Sequence, residues 1–414
     1  MVSKALMLFL RLARRLGVRV VLMTVLALIA VFVAPALDPL IPDSFKDRFD
    51  RDAVLPILNI LASTMLAATT FSLGVMVQAF QSAAGQATPR AYRILMQDGT
   101  TQTVLATFVS TFLFSLTAIV MFRAEFYGDA AAVVIFALTV LSIALVIIAI
   151  LRWIDHLSQL GSMDHTLRMV ENAARDCLKT VAEAPCLGAN DLARHDGPPP
   201  DSVAILANRS GYVQFVNMPA LHDALERCDA RLWITAPPGS YALTGGVLGY
   251  LSGADTRLVE EAADHFTLER ERTLEQDARF GMIVLSEIAA RALSPGVNDP
   301  GTAIDVIQRL KNLLWNHAHE DRPQTRDILY PRAYAPRVTA AALVQDGFDV
   351  IIRDGAGRPE VIGTIIKALN DLAGSDWPPL AEAARDTLDY AREHAEAALT
   401  LQADRDAVRE LIRR

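Results

Sequence analysis

The sequence predicts an α-helical membrane domain of about four transmembrane helices, followed by an α+β cytosolic domain with a small β-module and a helical bundle. Three observations predict it. Apolar residues make up 52% of the 414 positions, and the excess concentrates ahead of Trp153. That stretch contains repeated apolar runs long enough to cross a bilayer, because about 20 helical residues at 1.5 Å each span a hydrocarbon core of roughly 30 Å. Behind it, short β-type runs punctuated by Gly and Pro give way to helical periodicity. The expected organisation is a transmembrane domain over 1–152, a linker helix and loop over 153–200, a β-rich module over 201–270 and a helical domain over 271–414.

The first span is the apolar run Val18 to Leu37. It is longer than the apolar core of a signal peptide, and Asp38 and Pro39 follow it instead of a small-residue cleavage site, so it reads as a retained helix. The other spans are Ala53 to Phe80, Val104 to Phe122 and Ala130 to Leu151. Lys4, Arg11, Arg14, Arg15 and Arg19 flank the first span, Arg90 and Arg93 lie between the second and third, and Arg152 follows the fourth. On the opposite side, Lys46, Arg48 and Arg51 are diluted by aspartates, and Arg123 stands alone. The positive-inside rule then puts both termini in the cytoplasm of a bacterial-type inner membrane.

The spans differ in character. The second carries Asn59, Ser63, Thr64, Thr69, Thr70 and Ser72, and the third carries Thr107, Ser110, Thr111, Ser115 and Thr117. Such residues let membrane helices approach closely and hydrogen-bond each other, and they also suit the wall of an aqueous path. The candidate pore-lining set is Ser63, Thr70, Gln78, Thr107, Ser110 and Thr111. Beyond Arg19 at the edge of the first span, the spans hold no ionisable side chain, which speaks against a charge-coupled pump. In the loop after the second span, Thr88 reads as an N-cap with Pro89 in the first helical position, opening a short helix over Ala91 to Gln102.

Trp153 to Ala184 is expected to carry the fourth helix onward, and Gly188 to Pro200, with its Pro198-Pro199-Pro200 run, to be a loop. Strands are expected at Val203–Leu206, Tyr212–Val216, Arg231–Ala236, Tyr241–Leu243 and Val247–Leu251, with a short helix at Met218–Cys228. The stretch 236–248 resembles the Gly-punctuated hairpin of barrel-sandwich domains of the biotinyl or lipoyl type, although no carrier lysine is evident. That resemblance implies a small β-module. Helices are then expected at Glu271–Leu293, from Pro300 to about Trp315 behind an Asp299 cap, and at Val338–Gln345, Pro359–Leu372 and Leu380–Arg413.

The densest polar set is Arg272, Gln276, Asp277, Arg291, Asn298 and Asp299. Placed on one helix and its break, it reads either as a small-molecule or anion site at a helix N-terminus, or as a buried network that fixes the helix–loop–helix geometry. His317 and His319 form half a metal pattern at most, or a solvated helix end. The chain shows no Walker A loop, nucleophile elbow, zincin motif or CxxC pair, so no metal, cofactor or catalytic residue is expected. Cys177, Cys186 and Cys228 are too few for a disulfide framework. A net charge of −8 argues against a nucleic-acid partner.

The run Arg272-Thr273-Leu274-Glu275-Gln276-Asp277-Ala278-Arg279-Phe280-Gly281 and the run Ile288-Ala289-Ala290-Arg291-Ala292-Leu293-Ser294-Pro295-Gly296-Val297-Asn298-Asp299-Pro300-Gly301-Thr302-Ala303 resemble the signature of a family of predicted bacterial membrane proteins, domain of unknown function 2254. Thr88-Pro89-Arg90 and Ser210-Gly211-Tyr212-Val213-Gln214 resemble further segments of it. The resemblance covers nearly the whole chain. It implies the architecture above and assigns no catalytic residue.

Three functions are compatible with these residues. The first is a homo-oligomeric channel, with the second and third spans facing a central axis and the cytosolic domain regulating it. The second is a membrane-anchored sensor or scaffold that binds a small molecule or protein through the cytosolic domain. The third is a membrane-bound enzyme, for which no nucleophile–base pair is apparent. The expected partners are the lipid bilayer and further copies of the chain.

Overall fold

Among the described residues, three helices are long and apolar enough to cross a membrane: Val54–Ser82, Gly99–Arg123 and Ala131–Leu157. They lie in α2 (Arg51–Gln86), α4 (Gly99–Arg123) and α5 (Asp129–Gln159) of a computed structural model that describes residues 16–34, 51–86, 88–96, 98–127, 129–159, 161–319 and 327–413. The apolar helix α1 (Leu16–Val33) is shorter. Lys4, Arg11, Arg14, Arg15, Lys46 and Arg48, used above to orient the chain, lie outside the described residues. The chain divides between Thr166 and Leu167 into two compact units.

In the first unit α4 is the central helix. It packs against α1, α2 and α5, and 61% of its apolar window is buried, against 22% for the windows of α2 and α5. Val31, Leu58, Phe114 and Ile135 meet in one core cluster, and Met65, Phe108, Val146 and Trp153 in another. Arg19 donates to the Gly99 carbonyl at 2.9 Å and to the Thr103 hydroxyl at 3.0 Å, so its charge is spent on the first turn of α4.

Two expectations change here. Ala91–Gln102 is not one helix. Thr88 caps α3 (Pro89–Leu95) as expected, accepting from the Ala91 N–H, but the chain turns again at Asp98. Asp98 caps α4 by accepting from the N–H groups of Thr100 and Thr101 at 3.3 and 2.9 Å. The fourth apolar helix also does not continue to Ala184. It ends at Gln159, and α6 (Met163–Glu183) is a separate helix.

Because α5 runs on to Gln159, the apolar window Ala131–Leu157 extends past the expected end of the span at Leu151 and takes in Arg152, Asp155 and His156. The His156 Nε2 lies 2.8 Å from Asp98 Oδ2 and 3.1 Å from the Thr101 hydroxyl, and all three residues are buried. Burial pushes the Asp98 carboxyl up. The hydrogen bonds from His156 and Thr101 outweigh that push and hold it well below the usual carboxylate range.

The described residues of the second unit form two sheets. The larger has the order β1 (Ala189–Asp191), β8 (Tyr330–Ala335), β4 (Arg231–Ile234), β6 (Val247–Ser252), β2 (Val203–Leu206). β8 is parallel to both of its neighbours, whereas β6 is antiparallel to β4 and β2. The smaller sheet places β3 (Gly211–Val216) between β5 (Tyr241–Ala242) and β7 (Phe266–Glu269). α7 (Met218–Arg227) and α8 (Thr256–Asp264) bury Leu221, Leu225 and Leu258 in the core shared with the strands. The expected barrel-sandwich hairpin is absent: β5 and β6, which would form it, belong to different sheets. β1, β7 and β8 were not expected.

The remaining helices are α9 (Ala278–Leu293), α10 (Pro300–His319), α11 (Ala340–Gly355), α12 (Pro359–Ala373), α13 (Pro378–Ala398) and α14 (Gln402–Arg413). α11 is twice as long as read from the sequence, and the expected final helix is two helices, α13 and α14, broken at Leu399. Apolar positions at helical spacing, such as Leu343, Phe348, Ile351 and Ile352 of α11, form the bundle interior.

α9 also packs closely on α6. A Cβ on Gly281 would stand 2.5 Å from the Ala174 Cβ and 3.1 Å from its Cα. Alanine is favoured over glycine by about 1 kcal/mol in a helix interior. Gly281→Ala should nevertheless destabilise the protein by about 1–3 kcal/mol, because the helices must separate. Thermal unfolding of the detergent-solubilised chain reads this directly, and a variant at or above wild-type stability would contradict the close approach.

Candidate ligand-binding cleft

In the second unit, the end of α6, the turn after it, the Pro237–Ser240 loop and the starts of α9 and α11 surround a cleft of about 980 Å³. Pro185–Gly188 forms one wall. Its backbone is unusual, because Cys186 (φ 53°, ψ 32°), Leu187 (φ 59°, ψ 23°) and Gly188 (φ 81°) are consecutive left-handed residues. For a non-glycine residue that conformation costs roughly 1–2 kcal/mol, and strain of this kind concentrates at ligand sites.

Another wall is built by the first polar run. Arg272 donates to Asp277 through two bonds, Nε to Oδ2 at 2.8 Å and Nη2 to Oδ1 at 3.0 Å. Its guanidinium also stands over the Phe280 ring, 5.2 Å from the centroid. Asp277 is the N-cap of α9 and accepts from the Phe280 N–H at 3.2 Å. Burial pushes the Asp277 carboxyl above its ordinary range, and the bonds from Arg272 only partly restore it. Gln276 accepts from the Val216 N–H at 2.8 Å and donates to the Val216 carbonyl at 3.2 Å, tying the approach to α9 onto β3.

The expected helix over Glu271–Leu293 therefore starts only at Ala278. Arg272 and Gln276 sit in the irregular run before it, and helical spacing does not bring them together. Asp277 folds its side chain back onto Arg272 while capping the helix, and a residue doing both cannot itself be helical. Gly239 makes room for the pair. Its φ is +92°, and a Cβ there would lie 2.5 Å from Asp277 Oδ2 and 2.9 Å from Arg272 Nη2. Gly239→Ala should break the pair and lower stability by about 2–4 kcal/mol. If the variant unfolds at the wild-type temperature, the turn is not pressed onto the pair as described.

The other half of the polar set lies elsewhere. Arg291, Asn298 and Asp299 are at the far end of α9, whose 16 residues rise about 24 Å. Arg291 is half-buried, and Asn298 and Asp299 are exposed. Asp299 caps α10 as expected, accepting from the Thr302 N–H at 3.1 Å and its hydroxyl at 2.6 Å, and the hydroxyl's bond lowers its carboxyl below the ordinary range. His317 is buried, lines the cleft and meets the Trp377 ring edge-on, while His319 stacks on Trp315.

The cleft holds further cations, and sequence reasoning missed two of them, Arg194 and Arg337. Arg279, in the first turn of α9, holds Asp346 through bonds of 2.6 and 3.0 Å. Arg194 and Arg337 both approach Asp191 Oδ2, at 3.7 and 4.0 Å, beyond hydrogen-bond distance. Burial, followed by Asp191, raises the Cys186 thiol despite a bond from Arg337, so it is a poor nucleophile near neutral pH.

The candidate pore-lining residues separate into two groups. Ser63, Thr70 and Gln78 are on the exposed side of α2, where Ser63 donates to the Asn59 carbonyl and Thr70 to that of Leu66, both at 3.0 Å. Thr107, Ser110 and Thr111 are buried in the central helix α4, where Thr107 donates to the Thr103 carbonyl at 2.9 Å and Ser110 to that of Thr107 at 3.1 Å.

Residues 13–371 match the family described as "Predicted membrane protein (DUF2254)". The chain belongs to this family. It is similar to the uncharacterized proteins Mb1321c of Mycobacterium bovis and Rv1290c of Mycobacterium tuberculosis, each 27% identical over 331 residues. The alignment covers 77% of this chain and 63% of each relative, so the chain spans under two thirds of the length of the relatives it matches. No solved structure matches it.

Proposed function

We propose that this member of the family is a four-span protein of the inner membrane, with both termini in the cytoplasm, and that its second unit is a receptor for a small molecule held in the cleft. The observation that carries the receptor reading is the cleft. At about 980 Å³ it is at the upper end of ligand-pocket size, roughly 300–1,000 Å³. It combines apolar walls, such as Leu187, Val338 and Trp377, with guanidinium groups and a strained turn. The test is thermal unfolding of the full chain in nanodiscs against a panel of anionic, cationic and neutral metabolites. At least one class should raise the melting temperature, and the cleft-filling substitution Ala342→Trp should abolish the rise. If no class stabilises the protein, the receptor reading fails.

A second reading, a homo-oligomer with a permeation path, is favoured by one feature of α2. Asn59, Ser63, Ala67, Thr70, Gly74 and Gln78 recur every three or four residues and are all exposed. On a membrane helix, a polar and small-residue stripe favours close contact with another helix. The axis in this reading is lined from α2. Cysteines introduced at Ser63 and Thr70 should cross-link between copies in liposomes, with ion flux through the same preparation. Monomeric protein and a silent bilayer would eliminate it.

A further inference from the structure

We propose that the ligand of the cleft carries a phosphate monoester, held between Arg194 and Arg337 beside the N-terminus of α11; this deepens the receptor reading and rests on it.

The guanidinium groups of the cleft fall into two kinds. Arg272 and Arg279 each spend two N–H donors on their own aspartate, Asp277 and Asp346. Arg194 and Arg337 come within 4.0 Å of a single oxygen of Asp191, and neither reaches it at hydrogen-bond distance. Each guanidinium carries five donors in a fixed fork. Two forks therefore converge on one side of the cleft; beyond the bond from Arg337 to the Cys186 thiol, their donors face one carboxylate that cannot satisfy both. A phosphate monoester brings nearly two negative charges and three acceptor oxygens at neutral pH, enough to accept from both forks at once.

The surroundings fit the same group. Arg337 stands three residues ahead of α11, whose cap Thr339 accepts from the Ala342 N–H, and a helix start leaves further N–H groups without an intrahelical partner. The positive end of this 16-residue helix, whose Thr339 and Ala342 line the same cleft, adds to the two guanidinium groups. Glu183 and Asp327 also border the cleft. They repel a second anionic group, so the rest of the ligand is neutral or cationic. Two sources supply such a molecule: a soluble phosphorylated metabolite, or a phospholipid headgroup with a terminal phosphate.

The test is calorimetric titration of the full chain in nanodiscs of phosphatidylcholine, with inorganic phosphate and glycerol 3-phosphate as probes. A parallel preparation contains phosphatidic acid. Glycerol 3-phosphate should bind, and Arg194→Ala and Arg337→Ala should each weaken it about ten- to hundredfold. Arg337→Lys should recover only part of the loss, because a point charge replaces a fork. Arg194 is 77% exposed on its side chain, so its variant keeps the fold and isolates the binding effect. Competition by phosphatidic acid identifies a lipid source, and its absence a soluble one. Phosphate binding unaffected by both substitutions overturns the proposal, as does acetate binding equally well. If a cationic or neutral metabolite fills the cleft and phosphate does not bind, this inference fails while the receptor reading stands. If nothing binds, both fail.

Discussion

Arg272→Ala is expected to lower the stability of the second unit by about 3–5 kcal/mol, the usual cost of removing one partner from a buried ion pair. Asp277, with 3% of its side chain exposed, is left without its guanidinium, and Phe280 loses the cation stacked over it. The effect should depend on pH in a definite direction. Burial already raises the Asp277 carboxyl in the folded protein, so the folded state holds this proton more tightly than the unfolded chain. The stability associated with that proton is fully present below the ordinary carboxyl pKa and is lost as pH rises through the raised folded value. Without Arg272 the rise is larger. The gap between wild type and variant should therefore be small in mild acid and widest near neutrality. Chemical denaturation of both proteins across that range measures it, and a gap independent of pH would show that Asp277 does not sense its partner.

The second large effect is expected in the membrane unit. Asp98→Ala removes the N-cap of α4 and the partner of His156 together, for a loss of about 2–4 kcal/mol. Asp98→Asn separates the two contributions, because asparagine caps as well as aspartate and carries no charge. It should recover the capping part alone. Here the sign with pH is the opposite of that at Asp277. The folded carboxyl is held below its ordinary value, so its stabilisation is present above the unfolded pKa and is lost as pH falls through the folded one. Wild-type melting in detergent should stay level through neutral pH and drop only in strong acid, and the Asp98→Asn protein should lack that drop. Equal profiles would detach Asp98 from His156.

The sequence states some of this structure openly and hides the rest for physical reasons. Long apolar helices announce themselves by composition, so α2, α4 and α5 were legible. Local capping chemistry was legible at Thr88 and Asp299, where the hydroxyl or carboxylate and the following proline are adjacent in sequence. The strands β2 to β6 carried alternation and turn signals. β1 and β8 did not. β1 is three residues, Ala-Asn-Asp, and β8 contains Pro331, a residue that reads as a strand breaker. The register between them skips at this point, from Ala189 opposite Tyr330 to Asn190 opposite Tyr334, and the Asn190 amide donates to the Pro331 and Ala333 carbonyls at 2.9 and 3.0 Å. No local pattern encodes such a repair. Arg272, Gln276 and Asp277 stood out as polar density, but treating them as helical joined them to Arg291, Asn298 and Asp299, from which α9 separates them. Arg194 and Arg337 are far apart in the chain, and only the β1–β8 pairing brings them near one carboxylate.

That pairing also orders events during synthesis. β8 lies inside the larger sheet, between β1 and β4, yet it is the last of the sheet's strands to be made. Nearly 80 residues separate β6 from β8, an interval of roughly 4–16 s at about 5–20 residues per second. Until Tyr330–Ala335 emerges, the edge of β4 is open and β1 lacks its sheet partner. Open strand edges invite pairing with other chains. A nascent chain stalled before Tyr330 should therefore be more prone to aggregation and proteolysis than one stalled after Ala335, and β8 acts as the closing piece of the soluble unit.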